Sequence, residues 1–204
     1  MDTIIRIEKK KVPDLHPTQM TVGFRAVKHK RKEWKDVRDS KSGRKAFLES
    51  HVVPVVIGPE ERAYATDHHH VGRALYDSDE QVWVAVHADL SHLPTDNFWN
   101  FMDQNSWCRP CDSQGKRHDF SALPKDMMGL VDDPYRSLAA AVQKEGAFAK
   151  DGSPFEEFLW ADFFRSHIRS ASLDKDFPAA VGRAAVAARS KEAAYLPGWS
   201  GHKG

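Results

Sequence analysis

The chain has 204 residues and a formal net charge of +1, and this length suffices for one core of ordinary size. A hydrophobic fraction of 41% with 29% charged residues excludes a disordered or collagen-like chain, and no apolar stretch reaches the roughly 18–20 residues of a membrane span. Because the N-terminus lacks a secretory pattern and two cysteines make no disulfide framework, we expect a cytoplasmic protein with no membrane partner.

The near-neutral total hides an uneven distribution of charge. Residues 1–50 hold 14 Lys and Arg against 7 Asp and Glu, whereas residues 51–100 hold 2 against 8. Whether this asymmetry persists in space depends on how the first hundred residues fold together.

The first ninety residues predict a small mixed core. Short β-branched or alternating apolar segments indicate strands, and the second and third of these form a hairpin. Pro17 precedes a longer helix with a strongly basic polar face, 39–43 is expected to be its exit loop, and Asp67 is a good N-cap for a shorter helix. The predicted strands are 4–7, 51–57, 62–66 and 81–90, and the predicted helices are 18–38 and 67–76.

From residue 94 onward the pattern predicts helices. Ser153 is a suitable N-cap with Pro154 at the first helical position, and Gly146 is a suitable C-cap. We therefore expect an α+β protein with an α/β core over 1–92 and a helical region over 93–204 packed on it, as a single compact unit. The predicted helices are 95–107, 133–146, 153–168 and 176–195.

Three consecutive histidines, His68–His70, follow Asp67 at the start of the predicted short helix. Exposed backbone N–H groups and the helix dipole make such a position suitable for a phosphate. Adjacent helical residues point about 100° apart, so the three rings cannot all face one ligand. We expect one or two rings to touch the ligand, with Asp67 acting as a base or orienting a ring. The alternative is a solvated helix cap.

Consecutive histidines differ from the i, i+4 pair of a helical zinc site. A further zinc ligand would have to come from His51, His87, His92 or an acidic residue elsewhere. A Mg²⁺ ion carried by nucleotide phosphates needs only one or two carboxylates. The residues therefore favour Mg²⁺ bound with a nucleotide over a dedicated protein metal site.

Four short segments occur in an order that resembles a known superfamily. They are Leu15-His16-Pro17-Thr18-Gln19, Val53-Pro54-Val55-Val56-Ile57, the run from Tyr64 to His70, and Arg73-Ala74-Leu75. This order resembles the ParB/sulfiredoxin superfamily and, within it, the ParB-like nuclease group. The segments 132–138 and 157–163 extend the resemblance over most of the chain. It implies a mixed sheet in which a polar loop between a strand and a helix holds nucleotide phosphates.

The polar loop can be compared with free-serine kinases of this superfamily, which carry Asp-Gly-His-His-Arg there. Asp67, His69 and His70 match the aspartate and the two histidines, and the resemblance implies that these three are catalytic. His68 stands where the motif has glycine, and Val71 stands where it has arginine.

The resemblance also implies which side chains bind phosphate. His68 lies at the helix start, and Arg73 or Lys28 takes the place of the missing arginine. Gln19 is included because related folds bring its segment beside the phosphate loop. In such a fold the basic first helix faces the acidic loop segment across one cleft, which suits a phosphate ligand with its metal ion better than a long nucleic-acid track.

Together with these residues, the resemblance implies an enzyme that binds ATP, ADP or CTP with Mg²⁺. It transfers a phosphoryl group to a small hydroxyl-bearing molecule or hydrolyses the nucleotide, with Asp67 taking a proton and Arg73 or Lys28 neutralising charge. One alternative is a nuclease or DNA-binding protein, and another is an inactive binding module. The oligomeric state is left open.

The nucleic-acid alternative depends on the basic segment 28–35. Each phosphate neutralised by such residues adds salt-dependent affinity. Trp34 is the only aromatic residue inside the run, so support for base stacking is weak. A solvated helix face is the competing interpretation.

The active-site motif of thioredoxin, Trp-Cys-x-Pro-Cys, occurs at Trp107-Cys108-Arg109-Pro110-Cys111. That motif requires a buried strand before it and a helix that starts at the first cysteine. Here the motif follows an aromatic helical segment and precedes a loop. We expect an ordinary loop, with redox catalysis and a zinc site that includes His118 as alternatives.

Overall fold

A computed structural model of the chain describes residues 4–201 and confirms the α+β class. No helix in this range is both long and apolar enough to cross a membrane. The strands are β1 (Arg6–Lys11), β2 (Leu15–Pro17), β3 (Thr21–Val22), β4 (Val53–Ile57), β5 (Ala63–Ala65), β6 (Gln81–Asp89) and β7 (Val131–Asp132). The α-helices are α1 (Phe24–Val37), α2 (Lys41–Ser50), α3 (His69–Leu75), α4 (Thr95–Gln104), α5 (Pro134–Lys144), α6 (Glu156–His167), α7 (Ser170–Lys175) and α8 (Phe177–Ala188).

The central sheet has five strands in the order β1-β6-β4-β5-β2. The β1–β6 and β4–β5 pairs are antiparallel, whereas the β4–β6 and β2–β5 pairs are parallel. The predicted hairpin is confirmed as β4 and β5. Its valines and isoleucine suit a pleated, half-covered surface because β-branched side chains pack well there.

The two faces of the sheet contribute to different apolar clusters, because alternate residues of a strand face opposite sides. On one face, Val84 of β6 packs in a cluster with Trp34 of α1 and Leu75 of α3. On the other face, Tyr64 of β5 packs in a cluster with Phe98 of α4.

The chain divides into two compact units. The first comprises the described residues up to Val22 together with Ala26–Val131, and the second comprises Gly23–Arg25 and the described residues from Asp132 onward. The second unit has its own core, which includes Leu138 and Trp160. Residues 93–131, assigned to the helical region from sequence, group with the first unit. The division into domains at residue 92 stays a prediction.

The first helix is shorter than predicted, because it begins at Phe24 rather than at residue 18. The backbone N–H of Thr18 donates to Nε2 of His69 at 3.1 Å, and its carbonyl accepts the N–H of Arg109 at 2.8 Å. These long-range bonds satisfy backbone groups that a helix would otherwise pair locally. The prediction of helix over residues 18–23 was therefore wrong.

The predicted exit loop over 39–43 was also wrong, because α2 begins at Lys41. Ser40 is its N-cap, with a side chain that accepts the N–H of Gly43 at 3.3 Å. A serine that satisfies an orphan N–H at this position favours a helix start. The helix buries Phe47 and Leu48 against the first core.

The four helices predicted after residue 94 are confirmed as α4, α5, α6 and α8, with shorter ends. Asp133 is the N-cap of α5, and its carboxylate accepts the N–H of Tyr135 at 3.0 Å. The N-cap of α6 is Phe155 rather than Ser153. Sequence patterns missed α7, which is only six residues long.

Candidate functional site

The Asp67–His70 loop connects β5 to α3 at the edge of the first core. Thr66 follows the last residue of β5, and its N–H donates to the carbonyl of Pro54 at 3.0 Å. Asp67 is exposed, and its Oδ1 accepts the N–H of His68 at 2.6 Å. Asp67 therefore shapes the turn before α3, whereas the predicted N-cap position is occupied by His68.

His68 adopts a left-handed backbone conformation, with φ 61° and ψ 24°. Glycine adopts this conformation without strain, whereas for an L-residue the conformational free energy rises by roughly 1–2 kcal/mol. The residue thus holds the conformation that glycine favours, at the position that the sequence comparison aligns with a glycine of the free-serine-kinase motif. Its ring contacts His51 edge to face, with centroids 5.9 Å apart.

His69 is buried and connects two parts of the first unit. Its Nε2 accepts the backbone N–H of Thr18 at 3.1 Å, which requires Nε2 to be unprotonated. The neutral ring then carries its hydrogen on Nδ1. Proton transfer by His69 would have to use Nδ1, because Nε2 is already engaged.

His70 and Arg73 lie three residues apart on α3, and both are half-buried. Residues at this spacing share one side of a helix. The other α3 side chains near them, including Val71 and Leu75, are buried in the core. The accessible side of α3 therefore presents His70 and Arg73 together.

The two phosphate-binding candidates outside the loop lie in different settings. Gln19 is buried, and its amide Nε2 donates to the carbonyl of Thr21 at 2.9 Å. This amide therefore serves the local backbone, although the preceding residue, Thr18, contacts His69. Lys28 is exposed on α1 and makes no ion pair with any residue from 4 to 201.

Lys30 of α1 contacts His51, which borders the loop. Its Nζ lies 3.1 Å from Nε2 of His51, whose ring contacts His68. Nδ1 of His51 donates to the carbonyl of Phe47 at 2.8 Å, so Nε2 accepts from the Lys30 ammonium group. Sequence patterns do not connect His51 with the loop, because this contact joins α1, the end of α2 and the start of α3.

A short helix-ending motif could have indicated the setting of His51. The motif Phe-x-x-Ser-His occurs at 47–51 and again at 163–167. In both copies the serine hydroxyl donates to the phenylalanine carbonyl, and the histidine ring stacks on the phenylalanine. The first copy directs Nε2 to Lys30, and the second directs it to Glu192 at 3.1 Å.

His16 lies beside Tyr64, with ring centroids 5.3 Å apart. Its Nδ1 donates to the carbonyl of Lys125 at 2.6 Å. Burial lowers the pKa of His16 below its ordinary value and raises the pKa of Tyr64. A neutral histidine with an engaged Nδ1 has Nε2 as its acceptor nitrogen.

No group of three or more His, Cys, Asp or Glu side chains within residues 4–201 is arranged to hold a metal ion. His118 instead bonds Asp112, with 2.7 Å between Nε2 and Oδ2. Cys108 and Cys111 are both buried, and burial raises the pKa of Cys108 to about 12. Because a reactive cysteine needs its thiolate, Cys108 has the setting of a structural residue.

A five-stranded mixed sheet with a polar loop leading from a strand into a helix is the arrangement implied by the ParB/sulfiredoxin resemblance. The family described as "Putative ParB-like nuclease" matches residues 9–166, and the chain belongs to this family. The crystal structure of protein Atu1540 from Agrobacterium tumefaciens is similar over 97% of this chain and 98% of that one, with 43% identity and a TM-score of 0.89. No curated protein matches the chain.

Proposed function

We propose that the chain binds a nucleotide with its phosphates against the Asp67–His70 loop and transfers or hydrolyses a phosphoryl group there. The observation that carries this proposal is the backbone of His68, which has φ 61° at the position of the glycine in the related kinase motif. A loop that keeps this conformation at a cost to its own residue is typical of a functional segment.

We assign a role to each loop residue according to its setting. Asp67 is exposed and accepts the proton of the attacking hydroxyl or water. His70 and Arg73 share the accessible side of α3 and stabilise charge on the transferring group. His69 acts as a positioning residue through its bond to Thr18.

The residues fit a Mg²⁺ ion that arrives with the nucleotide phosphates. One or two carboxylates suffice for such an ion, and Asp67 supplies an exposed one. When bound, Mg²⁺ neutralises negative charge on the phosphate oxygens. Asp67 Oδ1 remains the acceptor for the N–H of His68, so Oδ2 is the oxygen that takes the proton, and Asp67 would reach the ion through a water of its hydration shell.

The test incubates the protein with ATP, ADP or CTP and Mg²⁺ and measures thermal stabilisation and phosphate release. We expect at least one nucleotide to raise the melting temperature, and Asp67→Asn to abolish turnover without unfolding the protein. Asp174→Asn, which changes an exposed carboxylate of α7, serves as the matched control. The proposal fails if no nucleotide stabilises the protein or if Asp67→Asn turns over at the rate of the control.

A second candidate function is contact with a nucleic-acid backbone, as the family's name suggests. The observation in its favour is a set of three exposed lysines, Lys28, Lys32 and Lys35, on one side of α1. Replacing all three by alanine is expected to weaken DNA binding and reduce the salt dependence of log K by about 2–3. A mobility shift that is absent or insensitive to salt would exclude this function.

A further inference from the structure

A cleft of about 670 Å³ opens where the end of α1, the helix α2, and strands β1 and β6 come together. This volume lies within the range of small-ligand sites. The cleft is lined in part by Asp79, Glu80, Gln81 and Trp83, which follow the C-terminal end of α3, whereas Asp67 precedes its N-terminal end. Because α3 has seven residues at ~1.5 Å each, about 10 Å of helix separates the two places. The cleft is therefore distinct from the Asp67–His70 loop.

The cleft has an excess of positive charge once its ion pairs are counted. Neither Lys9 nor Lys41, which both line the cleft, forms an ion pair with a carboxylate among residues 4–201. Of the carboxylates that line the cleft, Asp79 is the one that forms no ion pair with a cationic side chain in the same range. The other charged side chains form pairs, Arg44 with Glu80 at 2.8 Å, and Lys45 with Glu49 and Arg38 with Asp39 at 3.8 Å.

Trp83 supplies an aromatic surface in the same cleft. It is half-buried, and it lies opposite Lys9 in the antiparallel register of β1 and β6. The Lys9 ammonium group lies over the indole, 4.7 Å from the ring centroid. Because Lys9 is exposed, it can leave the ring for a stronger anionic partner while the indole remains in place.

An indole beside ammonium groups that have no carboxylate partner suits a nucleotide, since the base can stack on the ring and the phosphate can pair with the ammonium groups. We propose that this cleft binds a nucleotide unit, free or within a single strand, with Trp83 stacking on the base and Lys9 and Lys41 binding phosphate. Trp34 cannot play this part because it is buried in the core. The proposal concerns a second site and does not depend on chemistry at Asp67.

The test measures fluorescence polarisation of a labelled oligothymidylate at several salt concentrations. We expect Trp83→Leu to weaken binding by at least about fivefold and Trp83→Phe to retain most of it, because every aromatic face can stack on a base. Lys41→Ala is expected to weaken binding and lower the salt slope by about one. Lys116→Ala removes an exposed lysine that does not line the cleft and serves as the matched control.

Competitors distinguish the two sources of the nucleotide unit. Displacement of the label by thymidine monophosphate identifies a site for free nucleotides, whereas displacement by unlabelled oligothymidylate alone identifies a site for a strand. An abasic oligonucleotide of equal length that competes as well as oligothymidylate overturns the proposal, because stacking then contributes nothing.

Two further results would overturn the proposal. These are the absence of binding to any of these ligands and an affinity that neither Trp83→Leu nor Lys41→Ala changes. If circular dichroism shows that Trp83→Leu is unfolded, the affinity of Lys41→Ala and the competition by the abasic oligonucleotide test the proposal in its place. Phosphate release from a nucleotide tests the Asp67–His70 loop, and the effect of Trp83→Leu on oligothymidylate affinity tests the cleft, so failure of one site is distinguishable from failure of the other.

Discussion

Thr18 donates its backbone N–H to Nε2 of His69 at 3.1 Å, across 51 positions of sequence. Both residues are buried, so the bond is shielded from water. It connects the segment after β2 to the first turn of α3. Of the three consecutive histidines, His69 is therefore the one whose ring stabilises the architecture of the loop.

Replacing His69 by leucine is expected to lower the free energy of unfolding by roughly 1–3 kcal/mol, because the buried N–H of Thr18 loses its acceptor. Urea denaturation measures the change. His69→Gln retains an acceptor oxygen of similar reach and should recover part of the loss. Equal stability of the leucine and glutamine variants would contradict the assigned bond.

The left-handed backbone of His68 predicts an unusual order of stability between two small replacements. His68→Gly should be more stable than His68→Ala by about 1 kcal/mol, because only alanine retains the backbone strain. Thermal denaturation of the two variants gives the difference directly.

His70 provides the matched control for this comparison, since it lies within α3. Glycine in a helix is about 1 kcal/mol less favourable than alanine. The order of the two replacements should therefore reverse, with His70→Ala the more stable variant. The same order at both positions would disprove the left-handed assignment of residue 68.

His16 predicts a pH dependence of stability. Burial lowers its pKa below the ordinary 6.5 and Arg62 adds to this effect, while the Lys125 carbonyl, Asp126 and Asp14 oppose it. As the pH falls, the unfolded chain binds this proton before the folded chain does. The contribution of His16 is thus fully present above pH 6.5 and is lost as the pH falls toward its lowered pKa.

The measurement compares the free energy of unfolding at about pH 7.5 and about pH 5.5 in urea, a window above the usual carboxyl pKa values. The wild-type protein should lose more stability over this window than His16→Gln, which cannot titrate. Identical losses in the two proteins would show that His16 keeps an ordinary pKa when folded.

Cys108 is expected to resist thiol reagents in the folded protein, because burial raises its pKa to about 12 and leaves almost no thiolate at pH 8. Ellman's reagent should modify it slowly in native buffer and quickly in guanidinium chloride. If the folded protein reacts rapidly with the reagent and Cys108→Ser abolishes this reaction, the result would instead support a redox role for the Trp-Cys-x-Pro-Cys motif.

Local patterns in the sequence were sufficient for the hairpin of β4 and β5 and for the strand β6. Their alternation of apolar and polar residues and their turn residues act over a few positions. Packing of one sheet face in the core favours the same alternation. The pattern failed over residues 18–23, where Thr18 bonds to Ala65 and His69. Helical periodicity there was overridden by partners that lie more than forty residues away.

The sequence by itself determined the α+β class, the order of most elements, and the presence of acidic and histidine side chains where β5 leads into α3. Tertiary structure alone decided what those side chains do: His69 bonds to Thr18, and His68 takes the left-handed backbone. It also placed Lys9 over Trp83, through the register of two strands far apart in the chain. Local propensity acts on neighbouring residues, whereas a site requires distant residues that only the packed sheet and helices bring together.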